Sequence, residues 1–328
     1  MVKVLVLGAT GLIGGHIAKK AHQAGWEVHG FRRDPQSEGL LASLPIQWHT
    51  GTLEDYTSLL QAMTGMDYTF HAAASYPKNS KPSRVKDNIH AGINQMNNVI
   101  QATRQAQVSR LIYTSSISTI GLPPAGEQRL ADERDLYQAG TLPDNGYYET
   151  KKAMEEVARG ASREGTEVVI LNPSLVLGPG DRHLSTGDLV VAIARGLAVA
   201  VPGGEVNIID VRDAAQAHIK AATNGRSGER YILGGDNYSV REAAEIIARA
   251  AGVKPPRFNL SNQIIDLYIK IAETLPFIPY PLDHLRAYRA WQGYNTGKAR
   301  QELELRTRPL EETARDSIDW FKQQGILK

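Results

Sequence analysis

The run Val2–Leu7, followed by Gly8-Ala9-Thr10-Gly11-Leu12-Ile13-Gly14, constrains this chain more than any other stretch. A short β-branched segment stops at glycines spaced three apart. Leu12, Ile13, Ile17 and Ala18 then recur at helical spacing, so the pattern predicts strand, tight turn, helix. Gly8 and Gly11 let the backbone turn and approach a ligand with no Cβ in the way, and Gly14 lets the helix lie close to the strand. The first amides of that helix, reinforced by its dipole, then point at a pyrophosphate. Because a second strand follows, Gly8, Thr10, Gly11, Leu12, Ile13 and Gly14 are expected to line a dinucleotide.

Strands are expected at Trp26–Phe31, Pro45–His49, Asp67–Ala73, Arg110–Ser115 and Glu167–Asn172. Helices are expected near Leu53–Met63, in a long stretch ending about Gln107, and at Tyr147–Arg163. Such alternation gives an α/β fold, a Rossmann-type doubly wound parallel sheet covered on both faces. Ser75 to Arg84 reads as a polar loop and Gly121–Gly146 as a long one. Beyond Asn172, glycines and prolines cut the chain into short elements: helices at Asp188–Gly196, Val211–Ala222, Ser239–Ala251 and Leu310–Gln324, and one strand at Arg230–Leu233. Residues 1–172 are therefore assigned to the dinucleotide-binding domain, to which later segments can add strands. Residues 173–328 are assigned to a smaller, mainly helical substrate lobe at the sheet's carboxyl edge, where ligands of open parallel sheets bind. Ile264–Tyr280, with Pro276-Phe277-Ile278-Pro279-Tyr280, reads as a packed helix and its turn in preference to a lid or a membrane-touching patch.

Across 328 residues, 37 Lys plus Arg against 35 Asp plus Glu leave a net charge of +2, which gives no reason to expect nucleic acid or an anionic membrane as partner. The absence of cysteine rules out disulfides and thiolate chemistry. Nine histidines without ligand spacing give no metal site, and no serine sits in a nucleophile elbow. The N-terminal apolar run breaks at Gly8 and no segment reaches the roughly eighteen apolar residues of a membrane span, so a cytoplasmic protein without a signal peptide is expected.

At the end of the second strand stands Phe31-Arg32-Arg33-Asp34. An acid there accepts the adenine ribose hydroxyls of NAD, whereas arginine holds the 2′-phosphate of NADP. Arg32 and Arg33 favour NADP over NAD; the competing reading leaves them solvated and lets Asp34 reach the ribose. Tyr147 and Lys151 lie four apart on one helix face, where an ammonium lowers a phenol pKa from about 10 toward the range of a general acid. Tyr148 and Lys152 share the spacing. The stripe Tyr148, Lys152, Glu155, Arg159 is polar, however, while Tyr147, Lys151, Met154, Ala158 turns apolar and faces inward. In Tyr113-Thr114-Ser115-Ser116, a serine hydroxyl can hold a substrate oxygen beside the phenol; on a continuing strand the two serines point to opposite sides, so one serves.

Taken together, Gly8 to Gly14, His71-Ala72-Ala73-Ala74, Tyr113-Thr114-Ser115-Ser116, Tyr147-Tyr148-Glu149-Thr150-Lys151 and Asn172-Pro173-Ser174 through Gly178-Pro179-Gly180-Asp181 resemble an extended short-chain dehydrogenase/reductase of the NAD-dependent epimerase/dehydratase superfamily. The likeness is greatest to dihydroflavonol-reductase-like and hopanoid-associated sugar-epimerase-like members, and includes Tyr294–Leu305 and Asp319-Trp320-Phe321. The resemblance implies that Ser116, Tyr147 and Lys151 are catalytic, with Tyr147 passing the proton, Lys151 holding the nicotinamide ribose and Ser116 positioning the carbonyl. It also implies that Ala72 and Ala73 run along the cofactor and that Pro173 and Ser174 flank the nicotinamide. The implied activity is hydride transfer between NADPH and a carbonyl or alcohol of a small substrate. The alternatives are a nucleotide-sugar epimerase or dehydratase with tightly bound NAD, and a non-catalytic NADP-binding protein. The implied assembly is a homodimer through the helices Asp87–Gln107 and Tyr147–Arg163. The sequence departs from the family at Thr52, where many relatives carry Asp, and near Gly92, where relatives often place Asn and only Asn88 or Asn94 is at hand. Asp181-Arg182-His183 lies in the part that varies with substrate.

Overall fold

Seven parallel strands carry the structure, a computed structural model that describes residues 1–73, 84–142, 145–274 and 292–328. Six of them, β1 (Lys3–Leu7), β2 (Glu27–Arg32), β3 (Gln47–Thr50), β4 (Tyr68–His71), β5 (Arg110–Thr114) and β6 (Val168–Pro173), come from residues 1–173. Helices α1 (Leu12–Gln23), α2 (Tyr56–Met63), α3 (Val85–Gln105) and α4 (Gly146–Arg163) connect them. From the edge the order is β3, β2, β1, β4, β5, β6, so the direction of winding reverses between β1 and β4. At that reversal the crossovers part and leave a crevice above the carboxyl ends of the strands.

Burial on both sides explains why β1 is continuously apolar: Val4 to Leu7 are fully buried. Alternate residues serve opposite faces. Val4 and Val6 join Ile17 and Ala18 of α1, and Leu5 and Leu7 join Met63 of α2, Met96 of α3 and Met154 of α4. Side chains also start the helices, as Asp55 accepts from Thr57 N at 3.0 Å before α2, and Asn145 accepts from Tyr148 N before α4.

The second half adds β7 (Leu175–Leu177), α5 (Gly187–Ala194), β8 (Ala200–Pro202), β9 (Glu205–Asp210), α6 (Val211–Asn224), β10 (Arg230–Leu233), β11 (Asp236–Ser239), α7 (Val240–Ala251), β12 (Phe258–Leu260) and α8 (Asn262–Thr274), then helices at Gly297–Glu302 and Leu310–Gln323. The lobe is more strand-bearing than its sequence suggests, because β11, β9 and β7 form one small sheet and β12 pairs with β8. These are runs of three to six residues between glycines and prolines, too short to show a period. Segment 211–233 rejoins the main sheet: β10 pairs in parallel with β6, Arg230 opposite Ile170, and α6 covers the sheet beside α1. The helix expected within Ile264–Tyr280 is α8, with Ile265 and Ala272 buried but Ile264, Leu267 and Ile271 exposed; Pro276–Tyr280 lie outside the described residues, as do Ala74 and most of the Ser75–Arg84 loop. Among the described residues no helix is long and apolar enough to cross a membrane.

Three buried histidines, two of which bridge these layers, predict how the protein responds to acid. His16 Nε2 lies 2.8 Å from Pro179 O, joining α1 to the turn after β7. His218 of α6 bridges Thr114 Oγ1 at 2.9 Å and Ala214 O at 2.7 Å, and His71 is fully buried at the end of β4. Loss of water around each ring holds the pKa down, to about 4 for His16 and His218 and about 3 for His71. From pH 6.5 down to about 4 the unfolded chain therefore binds protons that the folded chain refuses, and stability falls with pH through that window. Urea midpoints should fall steadily across it, at a cost of roughly 3 kcal/mol per histidine; a flat profile would show that these rings are accessible.

Candidate active site

The glycine-rich turn is shaped by two close approaches. Gly8 has φ +86°, and a Cβ there would lie 2.7 Å from Ala73 N. At Gly14 a Cβ would meet Gly8 O at 2.1 Å, so the helix crosses the strand end at backbone distance. Gly11 N donates to Gly8 O at 3.0 Å, and no side chain caps α1. Its first-turn amides, next to Thr10, Leu12 and Ile13, open on the crevice at the winding reversal. Ala72 and Ala73 follow β4 directly against Gly8. A cradle that any Cβ would fill, beneath an uncapped helix N-terminus, fits the pyrophosphate of a dinucleotide.

At the end of β2 the two arginines part company. Arg32 is half-buried and donates from Nη1 to Ser37 O at 3.0 Å, while Arg33 is exposed. Asp34, the acid that the competing reading gives to the ribose, accepts from Gln36 N at 2.9 Å within its own turn. The turn closes on the glycine-rich loop, for a Cβ at Gly39 would lie 2.7 Å from Thr10 O.

Across the crevice β5 and α4 bring Ser116, Tyr147 and Lys151 together. Tyr147 OH donates to Ser116 Oγ at 3.1 Å. The same Oγ accepts from Ser118 N at 3.1 Å, so Ser116 also starts the short 3-10 turn Ile117–Thr119. Lys151, 6% exposed, donates to Thr114 O at 3.3 Å and stands 5.6 Å from the Tyr113 ring centre. Burial brings its ammonium down to about 8, against the opposing pull of Glu155. In the other register Tyr148 packs edge-on against both Tyr137 and Tyr147, and Lys152 pairs with Glu156. The serines divide as an extended backbone requires, with Ser115 Oγ turned away to donate to Glu155 Oε2 at 2.5 Å.

Glu155 corrects the expected outward stripe. It is 3% exposed, and its Oε2 also accepts from Thr119 Oγ1 at 2.7 Å and Asn172 Nδ2 at 2.7 Å. Its Oε1 lies 2.7 Å from Arg230 Nε, with both side chains 4% exposed. Asn172 Nδ2 further donates to Ser116 O at 3.2 Å, so this buried group supports the serine's own backbone. Nothing local in the sequence marks Glu155, because its counter-ion stands on a strand far along the chain; Arg230 opening an otherwise apolar strand is the one available signal.

Other expected residues fall as follows. Pro173 and Ser174 close β6, where Ser174 N donates to Leu233 O at 2.9 Å and its buried Oγ has no protein partner. Asp181 is turned away from the crevice, accepting from Gly187 N at 2.8 Å and Ser185 N at 3.1 Å to start α5, and Arg182 and His183 are exposed. An Asn at Gly92 has no room, since a Cβ would lie 2.7 Å from Thr150 Cγ2. Asn88 lies beside Gly146 with its Nδ2 buried and unpartnered, and Asn94 is exposed.

Residues 4–234 match the model of the NAD dependent epimerase/dehydratase family. A Synechocystis protein carrying the provisional name dihydroflavonol 4-reductase is 29% identical over 98% of this chain and 95% of its own length. Cinnamoyl-CoA reductase 2 of Arabidopsis thaliana is 29% identical over 75% of this chain and 76% of its own. The crystal structure of a nucleoside-diphosphate-sugar epimerase from Pseudomonas aeruginosa superposes with a TM-score of 0.85 at 28% identity, covering 100% of this chain and 99% of that one.

Proposed function

The chain belongs to the NAD dependent epimerase/dehydratase family and is an NAD(P)-dependent enzyme of the extended short-chain type; from that premise we propose that it reduces the carbonyl of a small substrate with NADPH, or oxidises the corresponding alcohol. The observation that carries the reading is the Tyr147 to Ser116 hydrogen bond of 3.1 Å with Lys151 buried one turn along the same helix. NADPH supplies the hydride when bound. Ser116 Oγ and Tyr147 OH together hold the substrate oxygen, and Tyr147 delivers the proton that oxygen needs as it gains charge. Lys151 holds the nicotinamide ribose and stabilises the phenolate left on Tyr147. Gly8, Gly11, Gly14 and the α1 amides take the pyrophosphate, Ala72, Ala73, Pro173 and Ser174 border the cofactor, and Arg32 and Arg33 take the 2′-phosphate. In the same proposal residues 1–172 bind the dinucleotide, residues 173–328 enclose the substrate, and the enzyme works in the cytoplasm.

The reductase names of the Synechocystis and Arabidopsis relatives favour this reading. The Pseudomonas epimerase favours the other use of the same residues, on a nucleotide sugar with NAD retained through the cycle. Titrating cofactor-stripped protein with NADPH and NADH separates them. NADPH should bind at least about tenfold more tightly, the worth of one charge-assisted contact to the extra phosphate, and should be oxidised in the presence of a carbonyl panel. Release of stoichiometric NAD on denaturation, with no net oxidation, supports the epimerase instead. A homodimer packed through α3 and α4 completes the proposal. The groove between them, lined by Asn97, Ile100, Gln101 and Arg104 on one side and Val157 and Gly160 on the other, is the surface it would bury.

A further inference from the structure

Strand β3 places an indole where a smaller side chain would complete the sheet. Trp48 stands opposite Gly30 in the β2–β3 register, and a Cβ at residue 30 would lie 2.5 Å from the indole ring. The glycine is therefore the room the ring occupies. Two residues further along β2, on the same face, Arg32 lays its guanidinium 4.5 Å from the centre of that ring. Its Nη1 donates to Ser37 O at 3.0 Å, while its Nε is buried without a protein partner. Ser37 lies in the turn that closes through Gly39 onto Thr10, so the guanidinium is tied at one end to the glycine-rich loop and at its face to the indole. Arg33, the first residue past β2, is exposed.

A cation over an aromatic face is attracted by the ring quadrupole, and a planar fork already held in one plane loses less freedom when it meets a phosphate. We infer that Trp48 is a positioning residue for cofactor choice: it holds Arg32 in the orientation that selects the dinucleotide carrying a phosphate on its adenine ribose. The inference rests on the NADP reading given above. It separates the two arginines, with Arg32 preformed against the indole and Arg33 exposed, its charge acting on Glu54.

The test is calorimetric or fluorescence titration of NADPH and NADH, and of 2′-phospho-AMP and AMP as short probes, against wild type, Trp48→Leu and Trp48→Phe. Trp48→Leu should weaken NADPH and 2′-phospho-AMP about 3- to 30-fold, the span of cation–π strengths, and leave NADH and AMP within about twofold. Trp48→Phe keeps a smaller ring and should fall between. Equal weakening of both members of a pair would make Trp48 a packing residue only, and no change in either would remove it from cofactor choice; both outcomes overturn the inference. Should Trp48→Leu fail to fold, Trp48→Phe alone decides, since selective weakening of the phosphorylated member supports the inference and its absence refutes it. A wild type that binds NADPH no more tightly than NADH defeats the NADP reading and this inference with it. A wild-type preference that survives both substitutions defeats this inference alone.

Discussion

Tyr147→Phe should lower carbonyl turnover about 10²- to 10⁴-fold, the range of a positioned proton donor, while NADPH binding and thermal stability stay near wild type. The half-buried phenol donates to Ser116 Oγ at 3.1 Å and the substitution keeps the ring, so deleting one oxygen removes the proton and little of the packing. Steady-state rates of NADPH oxidation alongside cofactor titration provide the measurement. Tyr148→Phe is the internal control: its ring packs edge-on against Tyr137 and Tyr147, contacts that phenylalanine keeps, and its turnover should remain within about threefold, well under the loss that follows removal of a proton donor. Loss in Tyr148→Phe with retention in Tyr147→Phe would exchange the two tyrosines. A wild type inert toward a broad panel would revive the non-catalytic reading.

The largest stability effect is expected at Glu155→Ala, about 3–5 kcal/mol. The carboxylate faces Arg230 at 2.7 Å with both side chains 4% exposed, and burial already works against the arginine's charge. Removing it strands that charge and also leaves Ser115 Oγ, Thr119 Oγ1 and Asn172 Nδ2 short of an acceptor. Replacing both ends, Glu155→Met with Arg230→Met, should recover the part of the loss due to the stranded charge, while the donors to Glu155 and the carbonyls of Thr119 and Glu133 that Arg230 serves stay unpaired. Urea unfolding of the two variants decides. A single variant within about 1 kcal/mol of wild type would mean that the pair contributes no more than a surface one.

The sequence makes one half of the molecule legible for a definite reason. In the first 172 residues β1 and β6 are apolar runs and the helices are long enough to show their period, so all six strands there are expected, several to within a residue or two, and Arg230–Leu233 adds the seventh. The lobe's strands β7, β8 and β12 have three residues each, below the length at which alternation can be seen. Local pattern also carries most of the candidate site. The four-residue spacing and inward stripe single out Tyr147 and Lys151; opposite pointing says only that one of Ser115 and Ser116 serves, and the family resemblance names Ser116. Glu155 is where that reasoning fails. Its helix position reads polar, and its place in the interior is decided by Arg230 and Asn172, which only the folded sheet brings near. Asp181 fails for the opposite reason: it looks available to a substrate, yet the amides that begin α5 already occupy it.

That the seventh strand arrives so late has a consequence for the chain as it leaves the ribosome. Until β10 emerges, β6 is an open edge with every residue of Val168–Pro173 destined for the interior, and Glu155 has no counter-ion. The seven-stranded sheet thus stays incomplete while α5 through α6 are being made. During that interval its exposed hydrogen-bonding edge is the place where a second nascent chain, or a chaperone, would pair.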